Sequence, residues 1–201
     1  MRRFLLIVIL SQFSSCQYKP DNKAVELVKQ ANEIGSKSFY KDSIKTNQAI
    51  ELINQAIKID DKYFSAYHSK SFFLSLKKDI DALLLNNSKM IELRPNQPLW
   101  KIQRGLFFDI YGNKIEAEKN YKIGITEYEN LLKTGLKNDF NFRMEYLSAL
   151  ETKGEINKAR LQLEKISRDF PDNEILKVYK TEYKFKTKDE LISLWKNGSG
   201  N

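Results

Sequence analysis

The sequence predicts an all-α chain, an α-solenoid of about four stacked helix pairs closed by C-terminal capping helices. Three observations predict it. The 201 residues hold only 8 Gly and 4 Pro, too few for a turn-rich all-β protein. One spacing recurs along the chain: a small or apolar residue, a larger one four on, a small or apolar one seven on, and a chain-breaker twelve on. It appears at Ala49/Ile53/Ala56/Asp61, Leu83/Asn87/Met90/Pro95, Ala117/Tyr121/Gly124/Glu129 and Ala159/Leu163/Ile166/Pro171. The first members lie 34, 34 and 42 residues apart, a period that marks stacked supersecondary units. Finally, Gly112 and Gly154 each stand five residues ahead of a small packing residue, Ala117 and Ala159, as a turn between two close helices requires.

The elements follow in order. The first pair is expected at about 22–36 and 43–59, with an insertion at Ser36–Asp42. The second is expected at about 63–76 and 79–93, the third at 98–111 and 114–134. The fourth, at 139–152 and 155–169, follows extra residues around Thr134–Asp139 that lengthen the third period. Helices at 173–186 and 188–196 end the chain, and Thr187-x-x-Glu190 is a capping box opening the last of them. A solenoid needs a polar outer face on its terminal unit, so Leu191, Leu194 and Trp195 are expected to turn inward.

Within the pairs, Tyr67-x2-Lys70-Ser71-x2-Leu74 and Lys101-x2-Arg104-Gly105-x2-Phe108 keep a small residue at one place, Ser71 and Gly105. With the 34-residue period, these segments resemble the tetratricopeptide repeat (TPR) over about residues 22–186. The family's Trp is Tyr67, Lys101 and Arg143 in successive units, and Leu83 and Asn87 also depart from its pattern. The resemblance implies a right-handed superhelix that binds protein partners on a concave face lined by the first helix of each pair. Carried over residue by residue, that groove holds Ser65, His68 and Phe72, then Leu99, Ile102, Leu106 and Asp109, then Asn141, Met144, Ser148 and Glu151. The combined set of Lys and Asn residues with which chaperone-binding members clamp a C-terminal carboxylate is absent from these slots, which hold Asn141 but no Lys, so the expected ligand is an amphipathic helix or an extended apolar segment.

The N-terminus reads as an address. Arg2-Arg3, an apolar run from Phe4 to Leu10 and small polar residues compose the three regions of a secretory signal. The run is far shorter than the ~20 residues that span a bilayer. Phe13-Ser14-Ser15-Cys16 resembles the lipobox of bacterial lipoproteins, of the Bacteroidetes type in its tolerance of Phe13. That resemblance implies cleavage before Cys16 and a lipid on its thiol. The domain map is therefore a cleaved signal at 1–15, a lipidated tether at 16–21, the repeat domain at 22–196 and a flexible tail at 197–201. The expected location is the cell envelope, as an outer-membrane lipoprotein facing the periplasm.

Composition bears on the rest. One His and one Cys leave little for a metal site or a nucleophile pair, and no Gly-rich phosphate loop occurs, so no enzyme and no cofactor are expected. His68 has no nucleophile at pairing distance in sequence and reads as a groove or surface side chain. Net charge is +8, but Lys and acid alternate rather than forming the basic stripe of a nucleic-acid binder, and nucleic acid is not an expected partner. The one basic-aromatic cluster is Lys177, Lys180 and Lys184 on a single helix face, with Tyr179 and Tyr183 on another. It offers an alternative function, contact with an anionic glycan, lipid headgroup or nucleic acid.

Overall fold

A computed structural model describes residues 18–37 and 42–197. Among these residues ten helices follow one another: α1 (Asn22–Lys37), α2 (Ser43–Ile59), α3 (Phe64–Lys77), α4 (Ile80–Leu93), α5 (Leu99–Tyr111), α6 (Lys114–Lys133), α7 (Phe140–Lys153), α8 (Ile156–Asp169), α9 (Glu174–Glu182) and α10 (Lys188–Asn197). They pack in consecutive pairs, α1 on α2 through α7 on α8, each pair resting on the next. This is the expected all-α solenoid of four helix pairs followed by terminal helices.

The repeat is written in the turns. Inside the second, third and fourth pairs the chain closes the same Schellman motif. Asp79 N–H donates to Leu74 O at 3.2 Å, Asn113 to Phe108 at 2.9 Å and Glu155 to Leu150 at 2.8 Å. The left-handed residue each motif needs is Lys78 (φ 56°), Gly112 (φ 95°) and Gly154 (φ 91°). Glycine adopts that conformation without steric cost, and Lys78 does not. Between pairs another set of bonds recurs. Asp60, Arg94 and Phe170 donate back to Ala56, Met90 and Ile166, and Tyr63, Gln97 and Asn173 then donate to those same three turn residues. Only the α6–α7 connection breaks the pattern. There α6 runs on to Lys133, which absorbs part of the longer third period.

Side-chain caps start the helices where the sequence supplies Asp or Asn. Asp42 accepts from Ile44 N–H, Asp79 from Ala82, Asn113 from Glu116, Asp139 from Phe142 and Asn173 from Ile175. The expected capping box is formed at α10, with Thr187 N–H donating to Glu190 at 2.6 Å and Glu190 N–H to Thr187 Oγ1 at 3.2 Å.

The repeat positions are the core. Ala49, Ile53, Ala56, Leu83, Asn87, Met90, Ala117, Tyr121, Ala159 and Ile166 are all buried. A Cβ on Gly105 would lie 2.6 Å from Cδ1 of Tyr121, so the small residue there lets α5 and α6 close on that ring. Asn87 keeps its place in the pattern because its amide nitrogen has partners, donating to Trp100 O at 3.0 Å and to Gln103 Oε1 at 3.3 Å. A buried amide without one would cost about 1–3 kcal/mol. Arg143, in the slot of the family's Trp, is buried with its guanidinium paired to Asp169 and lying over Phe170.

The C-terminus ends differently from its sequence pattern. Helix α9 stops at Glu182, four residues short of expectation, and 183–187 is non-helical. Leu176 is buried and Tyr179 and Phe185 are half-buried, all three on the cluster of the α5–α8 region. Helix α10 then turns back and packs on α5 and α7. Of the side chains expected to face inward, Trp195 packs on the core together with Ile192. Leu194 is exposed. The helix presents Ile192 and Trp195 to its neighbours because it lies across first helices rather than at the end of the stack.

Candidate functional site

The first helices α3, α5 and α7 share one face, and the structure divides that face in two. Toward their N-terminal ends lies an open cleft of about 450 Å³ lined by Phe64, Ser65, His68, Arg94, Trp100, Lys137, Asn141 and Glu145, among others. A second hollow, between α1 and α3, shares Ser65 and His68 with it. Toward their C-terminal ends the face is covered by the protein's own residues 183–197.

The open half has an aromatic floor. Phe64 and Trp100 are buried with ring centroids 5.2 Å apart, and His68 meets Trp100 edge-on at 5.8 Å. The guanidinium of Arg94 lies 3.8 Å from the Phe64 ring centroid, and Lys137 Nζ lies 5.6 Å from that of Phe142. Several polar groups on the wall are already engaged. Gln97 accepts from the Trp100 indole at 2.7 Å, and Glu145 accepts from Tyr128 at 3.3 Å. Burial, and then the Glu145 carboxylate, hold the Tyr128 phenol well above its ordinary pKa. Ser65, His68 and Asn141 are exposed at the rim. The arrangement suits a side chain set into a cleft over a buried aromatic pair, with polar groups at the rim reading its edges.

The covered half takes residues out of the expected groove. Ile102 is 3% exposed; it lies in the core, because its Cδ1 fills the space a Cβ on Gly124 would need, 2.7 Å away. Asp109 is not presented to a ligand but paired with Lys188 Nζ at 3.1 Å. Glu151 is buried, accepting from Tyr183 Oη at 2.5 Å and from Lys186 N–H at 2.7 Å. Leu106 is half-buried in the cluster that includes Ile192 and Trp195. Of the others, Leu99 and Met144 are half-buried against core clusters. Phe72 is 44% exposed and edge-on to Phe73, and Ser148 is exposed. The expected groove residues therefore split, with Ser65, His68, Leu99 and Asn141 at the open cleft and Leu106, Asp109 and Glu151 under the C-terminal segment.

Arg94, Gln97, Trp100 and Lys137 were not among the expected groove residues. Arg94 and Gln97 come from the α4–α5 turn and Lys137 from the α6–α7 connection, whereas a repeat register counts only positions on first helices. The sequence signal that could have found them is the cluster of Arg94 and Trp100 around Pro95 and Pro98 at the head of α5.

The basic face is also rearranged. Lys177 and Lys180 are on α9, but Lys184 lies beyond its end, so the three do not share one helix face. All three are exposed, and Lys177 pairs with Glu174 at 2.7 Å. Tyr179 and Tyr183 do stack, with centroids 4.2 Å apart. Cys16 lies outside the described residues. No helix among the described residues is long and apolar enough to cross a membrane, and no group of three or more His, Cys, Asp or Glu gathers as a metal site would require.

No family model matches the chain, and no curated protein matches its sequence. Among solved structures, the chain is similar to one titled "Crystal structure of MamA", with a TM-score of 0.48 at 17% identity, over 81% of this chain and 82% of that one.

Proposed function

We propose that this protein is a lipid-anchored, periplasm-facing interaction scaffold of a cell-envelope complex. It is held to the outer membrane through Cys16 and takes a peptide or helix of a protein partner in its first-helix groove. One observation carries the reading. The cleft sets the Phe64–Trp100 pair beneath a rim of exposed Ser65, His68 and Asn141. Aromatic side chains grouped in a concave site are the usual anchors of a partner's apolar residue. The lipobox-like Phe13–Cys16 supports the anchoring.

The test is photo-crosslinking in cells. A photoreactive residue at Ser65 or Asn141 should give a discrete adduct with a partner, and the same residue at exposed Leu85 or Leu161 on second helices should give none. Equal labelling at all four positions would reject the groove. The salt response of the complex discriminates the alternative. Steep loss with salt is the mark of a polyanion and would assign binding to Lys177, Lys180 and Lys184 instead.

A further inference from the structure

The last helix occupies a surface built like a receptor. Beneath it, Leu74 of α3, Leu83 of α4 and Phe107 and Ile110 of α5 form an apolar cluster on which Ile192 and Trp195 pack. Beside that cluster stand the carboxylates of Asp109 and Glu151, and both take their partners from the C-terminal segment. Lys188 Nζ also lies 4.9 Å from the centroid of the Tyr121 ring, and Lys78 Nζ caps the far end of α10 at Lys196 O. Lys188, Ile192 and Trp195 are spaced i, i+4, i+7, so one face of one helix carries the cation, the aliphatic group and the indole.

Three features make this helix a ligand more than a part of the core. No residue of α10 is fully buried. The segment 183–187 that leads to it is non-helical, so release of α10 breaks no continuous helix. The capping box lies within the segment itself, Thr187 to Glu190, so α10 keeps its N-terminal cap when detached. The helix pairs beneath it, by contrast, are joined through fully buried residues such as Ala117, Leu147 and Ala159.

We propose that α10 is a releasable occupant of the C-terminal half of the first-helix face. In its place that half accepts a partner's amphipathic helix of the same chemistry, a lysine followed four and seven residues later by an aliphatic and an indole side chain. This rests on the first-helix face being a recognition surface, but on the half the open cleft does not use. Asp109 selects the cation, the apolar cluster takes the two side chains, and the partner must displace a competitor tethered at high effective concentration. The open cleft and the covered half are then two addresses on one face, the second closed until a partner of this chemistry arrives.

Two full-length variants test it. Ile192→Ala with Trp195→Ala weakens the resident helix, and a fluorescent amidated peptide of residues 183–197 serves as the probe. The peptide should bind the double variant at least about tenfold more tightly than the unaltered protein, where the tethered copy competes. A peptide carrying Lys188→Glu should lose about tenfold or more. Equal binding to both proteins, or none to the variant, overturns the proposal, as does loss of helicity across α5–α8, which would make α10 a structural support. Lys188→Glu in the full-length chain is the second variant. It should speed hydrogen exchange of amides 188–197 about tenfold and leave the melting temperature unchanged. Unchanged exchange there overturns the proposal as well. Crosslinking from Ser65 is unaffected by any of these outcomes, so failure here is distinguishable from failure of the open cleft.

Discussion

Tyr18 donates a hydrogen bond to Asp60 at 2.7 Å, across 42 residues of sequence. The same carboxylate oxygen accepts from Asp21 N–H at 2.9 Å, and its partner oxygen accepts from Lys62 N–H at 3.1 Å. The chain is thus fastened to the turn between α2 and α3 two residues after Cys16, within the span expected to be the lipidated tether. A lipid on Cys16 would hold that turn close to the membrane surface.

This fastening should depend on pH. Desolvation alone would raise the Asp60 pKa, but hydrogen bonds from Asp21, Tyr18 and Lys62 outweigh it, and the carboxyl titrates below its ordinary value. Its contribution is therefore present above the unfolded aspartate pKa of about 4 and is lost as pH falls through the lower folded value. The protection of amides 18–24 from hydrogen exchange, taken relative to the intrinsic rate at each pH, should fall below about pH 4 in the unaltered protein. Asp60→Asn should show fast exchange there already at neutral pH. Slow exchange in that variant at pH 7 would show that the carboxylate does not hold the segment.

Cys16→Ser removes the thiol that would carry the lipid. The variant should accumulate unprocessed or leave the membrane fraction, read by fractionation and mass spectrometry. Normal cleavage with full membrane retention would rule out the lipoprotein reading.

Phe72 and Ile102 should respond oppositely to a charge. Phe72→Glu places a carboxylate where the ring is already 44% exposed, and the protein should stay folded with little change in melting. Ile102→Glu puts one against α6 in the core, and the chain should lose its cooperative transition. The milder Ile102→Ala should cost about 2–5 kcal/mol, measured by denaturant unfolding.

Gly105→Val should destabilise by about 1–3 kcal/mol, since its Cβ would overlap the buried Tyr121 ring. Gly112→Ala meets no neighbour within 4 Å but inherits φ 95°, and should cost about 1 kcal/mol. Thermal melts compare the two. A cost at Gly112 as large as at Gly105 would mean that close approach is not what the small residue serves.

The sequence by itself determined the helix pairs, their order and the residues between them. The spacing that put Ala49, Leu83, Ala117 and Ala159 at equivalent places also found buried positions, because a helix repeats its buried face at intervals set by its own backbone. The capping box at Thr187–Glu190 and the turns at Gly112 and Gly154 were equally legible, being local hydrogen-bond chemistry. The tertiary structure alone decided what lies over each face. Ile102 and Leu106 are one turn apart and share a helix face, yet the first fills the space left by Gly124 and the second lies beneath α10. Glu151 and Asp109 read as groove carboxylates until residues 183–188 are seen to reach them. Periodicity reports which side chains point the same way. Contacts across 35 or 79 positions of chain, as between Glu151 and Lys186 or Asp109 and Lys188, depend on where a non-helical segment sends the helix that follows, and no local pattern encodes that direction.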